Sequence, residues 1–301
     1  MTPPEDTQTT EAPAEEASPA PRGRRLVPVF RVILLLLAVM AWGVVEGHVC
    51  RVRRHELAFP GYPAGAAPLR AALLTDFHLD RLASARRLGR IVDRVNAEAP
   101  DIIFLGGDYA DAKLERLGDC LRELARLRAP LGVWAVLGNH DYTHAPARVL
   151  SALQQAGITP LENEGFWLDL GGGRIRVGGV ADFWHGRPNW EAAAGTAAPG
   201  DFFLLLAHNP DYAETLPPGA VDLVLSGHTH DGQATVLGLW SPFIGIPSTH
   251  GQKYRAGRVD NGRTTVLVSG GVGGLVAPMR YFAPPSVEIV TLRPDGQSGR
   301  P

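Results

Sequence analysis

Five short apolar runs in this chain each stop at a glycine or directly at a residue able to hold a cation, and that recurrence narrows the possible folds more than any other feature. "LRAALLT" (69–75) leads into Asp76-Phe77-His78, "DIIFLGG" (101–107) into Asp108, and "LGVWAVLG" (131–138) into Asn139-His140-Asp141. Later, "FFLLLA" (202–207) ends at His208, and "LVLSG" (223–227) ends at His228-Thr229-His230. Between the early runs, Leu82, Leu88, Ile91, Val92 and Val95 recur at helical spacing, as do Leu114, Leu117, Leu121, Leu124 and Leu127. Strands alternating with amphipathic helices predict βαβ units and an α/β domain. In open α/β sheets, ligands bind just beyond the carboxyl ends of the strands, so the five run ends are expected to meet at one rim.

Each of these residues has an ordinary explanation when taken alone. Asp76 suits a helix cap, Asp108 a turn, Asn139 a left-handed position, and His208 a satisfied core histidine. An isolated H-x-H is likewise a weak sign of a metal. Taken together they read differently, because buried strand ends that collect carboxylates and imidazoles need a cation to neutralise them. Gly106, Gly107, Gly138 and Gly227 fit, since glycine lets the backbone turn sharply and approach a centre closely. A donor set of carboxylate, imidazole and carboxamide suits Mn²⁺, Fe or Zn²⁺ better than Ca²⁺, with Mn²⁺ favoured.

The 301 residues, 45% hydrophobic and 20% charged, suit one globular domain with appendages. A net charge of −2 and the lack of a basic stripe with interleaved aromatics give no case for nucleic-acid binding. Two cysteines are too few for a disulfide framework; Cys120 lies on the apolar side of a helical pattern and reads as core. Residues 1–25 form an acidic, Pro/Thr/Ala-rich tail that ends in a basic flank of Arg22, Arg24 and Arg25, and such a composition predicts disorder. Residues 26–48 follow, with a charge-free stretch from Val32 to Val45, and read as a single transmembrane anchor. The alternatives are a cleaved signal peptide, for which "GRRL" hints at a twin-arginine type but no small-x-small site follows, and a buried helix. Arginines flank both ends, Arg22, Arg24, Arg25 and Arg31 before and Arg51, Arg53 and Arg54 after; the count leans toward a cytoplasmic N-terminus and leaves the side of the domain open. Residues 49–294 are expected to form the α/β domain, and 295–301 a flexible tail.

The ordered set D-F-H, G-D, G-N-H-D, H, G-H-T-H resembles the calcineurin-like metallophosphoesterase superfamily over roughly residues 69 to 292. "LENE" (161–164), "AHNPD" (207–211), "GHTHDGQ" (227–233) and "PPSVEI" (284–289) are similar to a bacterial branch of membrane-associated phosphodiesterases, which includes UDP-2,3-diacylglucosamine pyrophosphatases of lipid A biosynthesis. The resemblance implies a four-layer α/β/β/α sandwich of two mixed sheets and a binuclear metal centre. It implies that Asp76, His78 and His230 hold one divalent cation, that Asn139, His208 and His228 hold the other, and that Asp108 bridges them. His140 is then the group that donates a proton, or a hydrogen bond, to the leaving oxygen, with Asp141 as its catalytic companion, orienting His140 or another ligand; capping the following helix is the plain alternative for Asp141. Such a pair of cations activates water for in-line attack on phosphorus.

Two departures stand out. Asp231 follows the last histidine where the branch usually has Gly, and Ser269-Gly270-Gly271-Val272-Gly273 lacks an arginine found in relatives, a candidate phosphate contact. His48, His55, His144, His185 and His250 sit in no motif and read as ordinary residues. The loop "LWSPFIGIPSTHGQKY" (239–254) carries Trp240, Phe243, Ile244 and Ile246, expected either to pack on the domain or to line an apolar entrance or touch a bilayer. The function these features imply is a membrane-anchored phosphohydrolase of phosphodiester or pyrophosphate bonds in a lipid-linked substrate. A broad-specificity phosphatase of soluble phosphoesters and a non-catalytic metal-binding sensor domain are the alternatives.

Overall fold

In the computed structural model the apolar runs become the interior strands of two six-stranded sheets. The structure describes residues 26–79, 84–110, 114–274 and 279–296. The acidic tail 1–25, Leu82 and most of the C-terminal tail lie outside them. The elements are α1 (Leu26–His48), β1 (Arg51–Phe59), β2 (Leu69–Leu74), α2 (Ala85–Ala97), β3 (Ile102–Leu105), α3 (Leu117–Leu124), β4 (Val133–Ala135), α4 (Asn139–His144), α5 (Pro146–Gln155) and β5 (Thr159–Pro160). They continue with β6 (Glu164–Asp169), β7 (Arg174–Gly179), α6 (Trp190–Ala194), β8 (Phe203–Leu206), β9 (Leu223–Ser226), β10 (Gly257–Asp260), β11 (Thr265–Val268) and β12 (Ser286–Pro294).

The first sheet has the order β1-β12-β2-β3-β4-β5 and the second β10-β11-β9-β8-β7-β6. Both are mixed: β2, β3 and β4 run parallel, as do β7, β8 and β9, while β12 pairs antiparallel with β2 and β10 with β11. Side chains alternate across each strand, which divides the apolar residues into separate cores. Ala71 and Leu73 of β2 and Ile102 and Phe104 of β3 meet Leu204, Leu206, Leu223 and Leu225 of the second sheet. Ala72, Leu74, Ile103 and Leu105 point the other way, onto α2, α3 and α5. The residues anticipated on helical faces (Leu88, Ile91, Val92 and Val95; Leu117, Leu121 and Leu124) are the ones buried there, with Cys120 among them. The outer side of the second sheet has a thinner cover than a full helical layer. Its core is closed by the five-residue α6 and by Tyr212, Leu216 and Tyr254.

The helix α1 is long and apolar enough to cross a bilayer by length and composition. Among the described residues, α1 as far as Met40 forms one unit, and those from Ala41 onward form the other. The last two turns of α1 therefore belong with the domain. There Gly43 O accepts the Arg280 N–H (2.9 Å), Glu46 Oε2 accepts the Phe282 N–H (2.8 Å) and Gly47 O accepts from the Arg87 guanidinium (2.9 Å).

Candidate metal centre

Each anticipated ligand follows the carboxyl end of a parallel strand: Asp76 and His78 after β2, Asp108 after β3, Asn139 and His140 after β4, His208 after β8, and His228 and His230 after β9. The two sheets bring these ends to one place. His78 Nε2 lies 3.1 Å from His230 Nε2, which is 3.3 Å from Asp76 Oδ1. On the other half, His208 Nε2 lies 3.1 Å from Asn139 Oδ1 and 3.2 Å from His228 Nδ1. Asp108 Oδ2 stands between the halves, 3.4 Å from His78 Nε2 and 3.3 Å from His208 Nε2.

Local backbone geometry makes this possible. Asp76, His78, Asp108, His228 and His230 all have φ between 40° and 70°. Non-glycine residues seldom occupy that left-handed region, and strain of this kind collects at functional sites. Two glycines allow the close approach. A Cβ on Gly227 would stand 2.3 Å from Asp76 Oδ2 and from Thr75 Oγ1, and one on Gly107, at φ +98°, would stand 2.3 Å from Gly138 N.

The donor set suits cations. His208 Nδ1–H donates to Gly106 O at 2.6 Å, so the Nε2 lone pair of the neutral ring turns inward. There it faces oxygens of a carboxylate and a carboxamide together with a second imidazole, and only a cation or a proton satisfies so many converging lone pairs. Asp76, His78 and His230 form a buried set with ligand atoms within 4.8 Å of one another, and Asp76, Asp108 and His208 form a second. His140 joins His78 and Asp108 in a third set at the same spacing, so its ring stands at ligand distance as well as at the open edge. Its backbone N–H is bound to Asp108 Oδ1 at 3.0 Å.

The family described as calcineurin-like phosphoesterase matches residues 69–232, more than half of the sequence. The chain belongs to that family. The phosphoesterase is similar to the uncharacterized metallophosphoesterase YkuE of Bacillus subtilis, at 29% identity over 83% of this chain and 87% of that protein. It is similar to phosphodiesterase YaeI of Escherichia coli, at 31% identity over 79% of this chain and 87% of that protein. Among solved structures, it resembles a 5'-nucleotidase precursor from Thermus thermophilus, with 16% identity, a TM-score of 0.46, and coverage of 77% of this chain and 55% of that one.

The phosphoesterase is thus a metal-dependent phosphoester hydrolase, and its electrostatics agree with a cation site. Burial lowers the His78 and His228 imidazoles to about 3, with the charge of His208 adding to the effect on His228. Burial alone would also lower His208 and raise Asp108. Their mutual charge and hydrogen bond outweigh it, so His208 rises to about 10 and Asp108 falls well below the carboxylate range.

Asp141 stands behind the site. Its carboxylate accepts the N–H groups of Asp108 (2.8 Å), Tyr109 (3.2 Å) and Gly138 (2.9 Å), so it ties the turns after β3 and β4 together while capping α4. It is hydrogen-bonded to these backbone groups and not to the ring of His140. Burial, then the charge of Asp108, pushes it up to about 7 despite those donors.

Three other residues carried no sequence signal. Arg280, fully buried, donates to Gly270 O (2.9 Å), Gly273 O (2.6 Å) and His230 O (2.5 Å). A guanidinium is therefore present beside the segment that lacks the family arginine, but its bonds go to carbonyls and to His230 Nδ1 (3.3 Å). Trp184 sets its ring edge-on to His228 at 4.4 Å between centroids. Tyr281 lines a cavity of about 460 Å³ that opens on Asp108, Asn139, His140 and His228. Asp231, the unusual residue after His230, is held by Arg53 (3.3 Å) and Arg255.

Proposed function

We propose that the phosphoesterase is a membrane-held phosphodiesterase or pyrophosphatase of lipid-linked substrates, with UDP-2,3-diacylglucosamine as the first candidate. The observation that carries this reading is the cavity: its lining joins Asp108, Asn139 and His140 to the apolar side chains of Phe243, Ile246, Pro247 and Met279. A pocket of several hundred cubic ångströms with apolar walls and a few converging polar groups is how a protein takes a small amphipathic ligand. The apolar α1 serves as a single-pass anchor at the cell membrane. The name of the relative YaeI supports diester chemistry.

When bound, two divalent cations, with Mn²⁺ favoured over Fe or Zn²⁺, supply activated water and neutralise charge on the phosphate. Asp76, His78 and His230 would hold one, and Asn139, His208 and His228 the other, with Asp108 serving both. His140, half-buried on the cavity wall, delivers a proton to the leaving oxygen. The bond from its backbone N–H to Asp108 Oδ1 keeps the ring in register with the shared carboxylate. Asp141 is a positioning residue, holding Asp108 through its backbone. The apolar walls exclude water from the reacting phosphate.

The test is Mn²⁺-dependent release of UMP from UDP-2,3-diacylglucosamine by detergent-purified protein, with a soluble phosphodiester in parallel. Asn139→Ala is expected to abolish both activities. Diester cleavage without UMP release would discard that substrate and keep the chemistry. A preference for soluble monoesters would mark a broad phosphatase. Metal-loaded protein inert toward every phosphoester would mark a sensor domain.

A further inference from the structure

The segment after His230 leads away from the cavity into a hairpin whose composition is unusual for a solvent-facing turn. Val236 N donates to Trp240 O (2.7 Å) and Leu239 N to Val236 O (3.0 Å). Leu237 and Gly238 have φ of 53° and 77°, so both central residues of this turn are left-handed. Turns of this type favour Asn, Asp or Gly at both positions. A leucine in that conformation costs energy, and packing does not offset it, because Leu237 is 69% exposed. Leu239 beside it is 80% exposed and Ile246 78%, while Val236, Trp240, Phe243 and Phe282 are also exposed. Among the large aliphatic and aromatic residues from Val236 to Ile246, Ile244 is the one that packs inward. A run of large apolar side chains left open in one segment marks a surface meant to be covered.

The last turns of α1 indicate what covers it. Thr235 N donates to Tyr281 O (2.8 Å), Thr235 Oγ1 donates to Phe282 O (3.0 Å), and Arg280 N and Phe282 N donate to Gly43 O and Glu46 Oε2. The Tyr281 ring lies so close to Gly43 that a Cβ there would stand 2.4 Å from Cζ. Gly43 lies inside the charge-free stretch that ends at Val45. Helical rise is about 1.5 Å per residue, so the base of the hairpin is packed at a level where α1 is still apolar. Charge at this level is hidden: Glu46 and Arg280 are both buried. Trp240 at the hairpin end is a residue type that favours the boundary between hydrocarbon and headgroups.

Resting on the membrane-anchored reading above, we infer that the hairpin Val236–Trp240, with Ile246 and Phe282, is a second membrane-contact surface that dips into the leaflet beside α1. It places the cavity mouth in the headgroup layer. A lipid phosphoester then reaches the metal centre by rising a short way from its own leaflet, with its apolar part never crossing water. This is an interfacial insertion, like that of an amphipathic element lying in the headgroup boundary.

The experiment uses full-length protein reconstituted into phosphatidylethanolamine/phosphatidylglycerol vesicles, with single Leu239→Cys and Val39→Cys variants labelled by an environment-sensitive fluorophore. Cys50 and Cys120 are buried, so labelling falls on the introduced thiol. Both probes are expected to emit to the blue and to be quenched by nitroxide lipids rather than by aqueous iodide. Lipid quenching at position 39 with iodide quenching at 239 overturns the inference and leaves the anchor standing. Iodide quenching at both positions removes the anchor and the inference with it. Lipid quenching at 239 that persists when Trp240 and Phe282 are replaced by serine supports insertion of the hairpin itself.

Discussion

Asp108 divides its two oxygens between two tasks: Oδ1 accepts the His140 N–H, and Oδ2 faces His78 and His208. His140 thereby stands next to the shared carboxylate while its own ring is at ligand distance, and the two roles separate by experiment. With His140→Gln, kcat is expected to fall by roughly 10²–10⁴-fold, the range for loss of a general acid. Metal content measured by elemental analysis should stay unchanged; loss of metal would make His140 a ligand. His208 gives a pH dependence with a definite sign. Without metal, its imidazole is raised from 6.5 to about 10 by Asp108, so the pair stabilises the fold fully below 6.5 and loses that contribution as pH rises through about 10. The depressed Asp108 sets the acid limit, where the contribution fades as pH falls below the usual carboxylate range. Because Nδ1–H is committed to Gly106, the extra proton sits on Nε2, the nitrogen that would bind metal. Metal uptake near neutral pH is therefore expected to release a proton, and apparent affinity to rise about tenfold per pH unit below the His208 value. Titration in weak buffer with an indicator dye checks this, and uptake without proton release would contradict it.

At the scale of elements, the turns after β3 and β4 act as one unit because Asp141 joins them. Asp141→Ala leaves three buried N–H groups without an acceptor, at about 1–3 kcal/mol each, so a loss of about 3 kcal/mol or more is expected in urea unfolding. Gly227→Ala tests the closeness of β9 to β2. Its Cβ would meet Asp76 and Thr75 side chains, and a cost of about 1–3 kcal/mol is expected together with weaker metal binding. Helical periodicity was legible wherever a helix packs on a sheet, as in α2 and α3. It overshot at the ends of α3, because Leu114 has φ of 53° and the helix closes at Ala125, before Leu127. The two-residue β5 and the five-residue α6 carry too few side chains to show a period.

For the molecule as a whole, the candidate ligands come from both sheets, with Asp76, His78, Asp108 and Asn139 on the first and His208, His228 and His230 on the second. A cation pair held there joins the sheets at one end of their shared core. Ligand that binds only the native state stabilises it by about 2.7 kcal/mol at a hundredfold excess over Kd. Chelation is therefore expected to lower Tm by about 5–10 °C for a domain of this size. Calorimetry with and without EDTA measures it, and an unchanged Tm would argue that no cation bridges the sheets.

The sequence by itself determined the family, the fold class and the candidate donor set, because each donor lies within a few residues of a strand end and the motif is local. Tertiary structure decided which atoms face one another. The bond that turns His208 inward joins residues 102 apart in sequence, and that between Arg280 and His230 O joins residues 50 apart. The cavity wall and the apolar hairpin belong to the same class: Tyr281, Phe243 and Trp184 share no motif. Only the packing of separate loops around the strand ends sets them beside the metal centre, so their meaning resides in contacts that exist once the two sheets have closed.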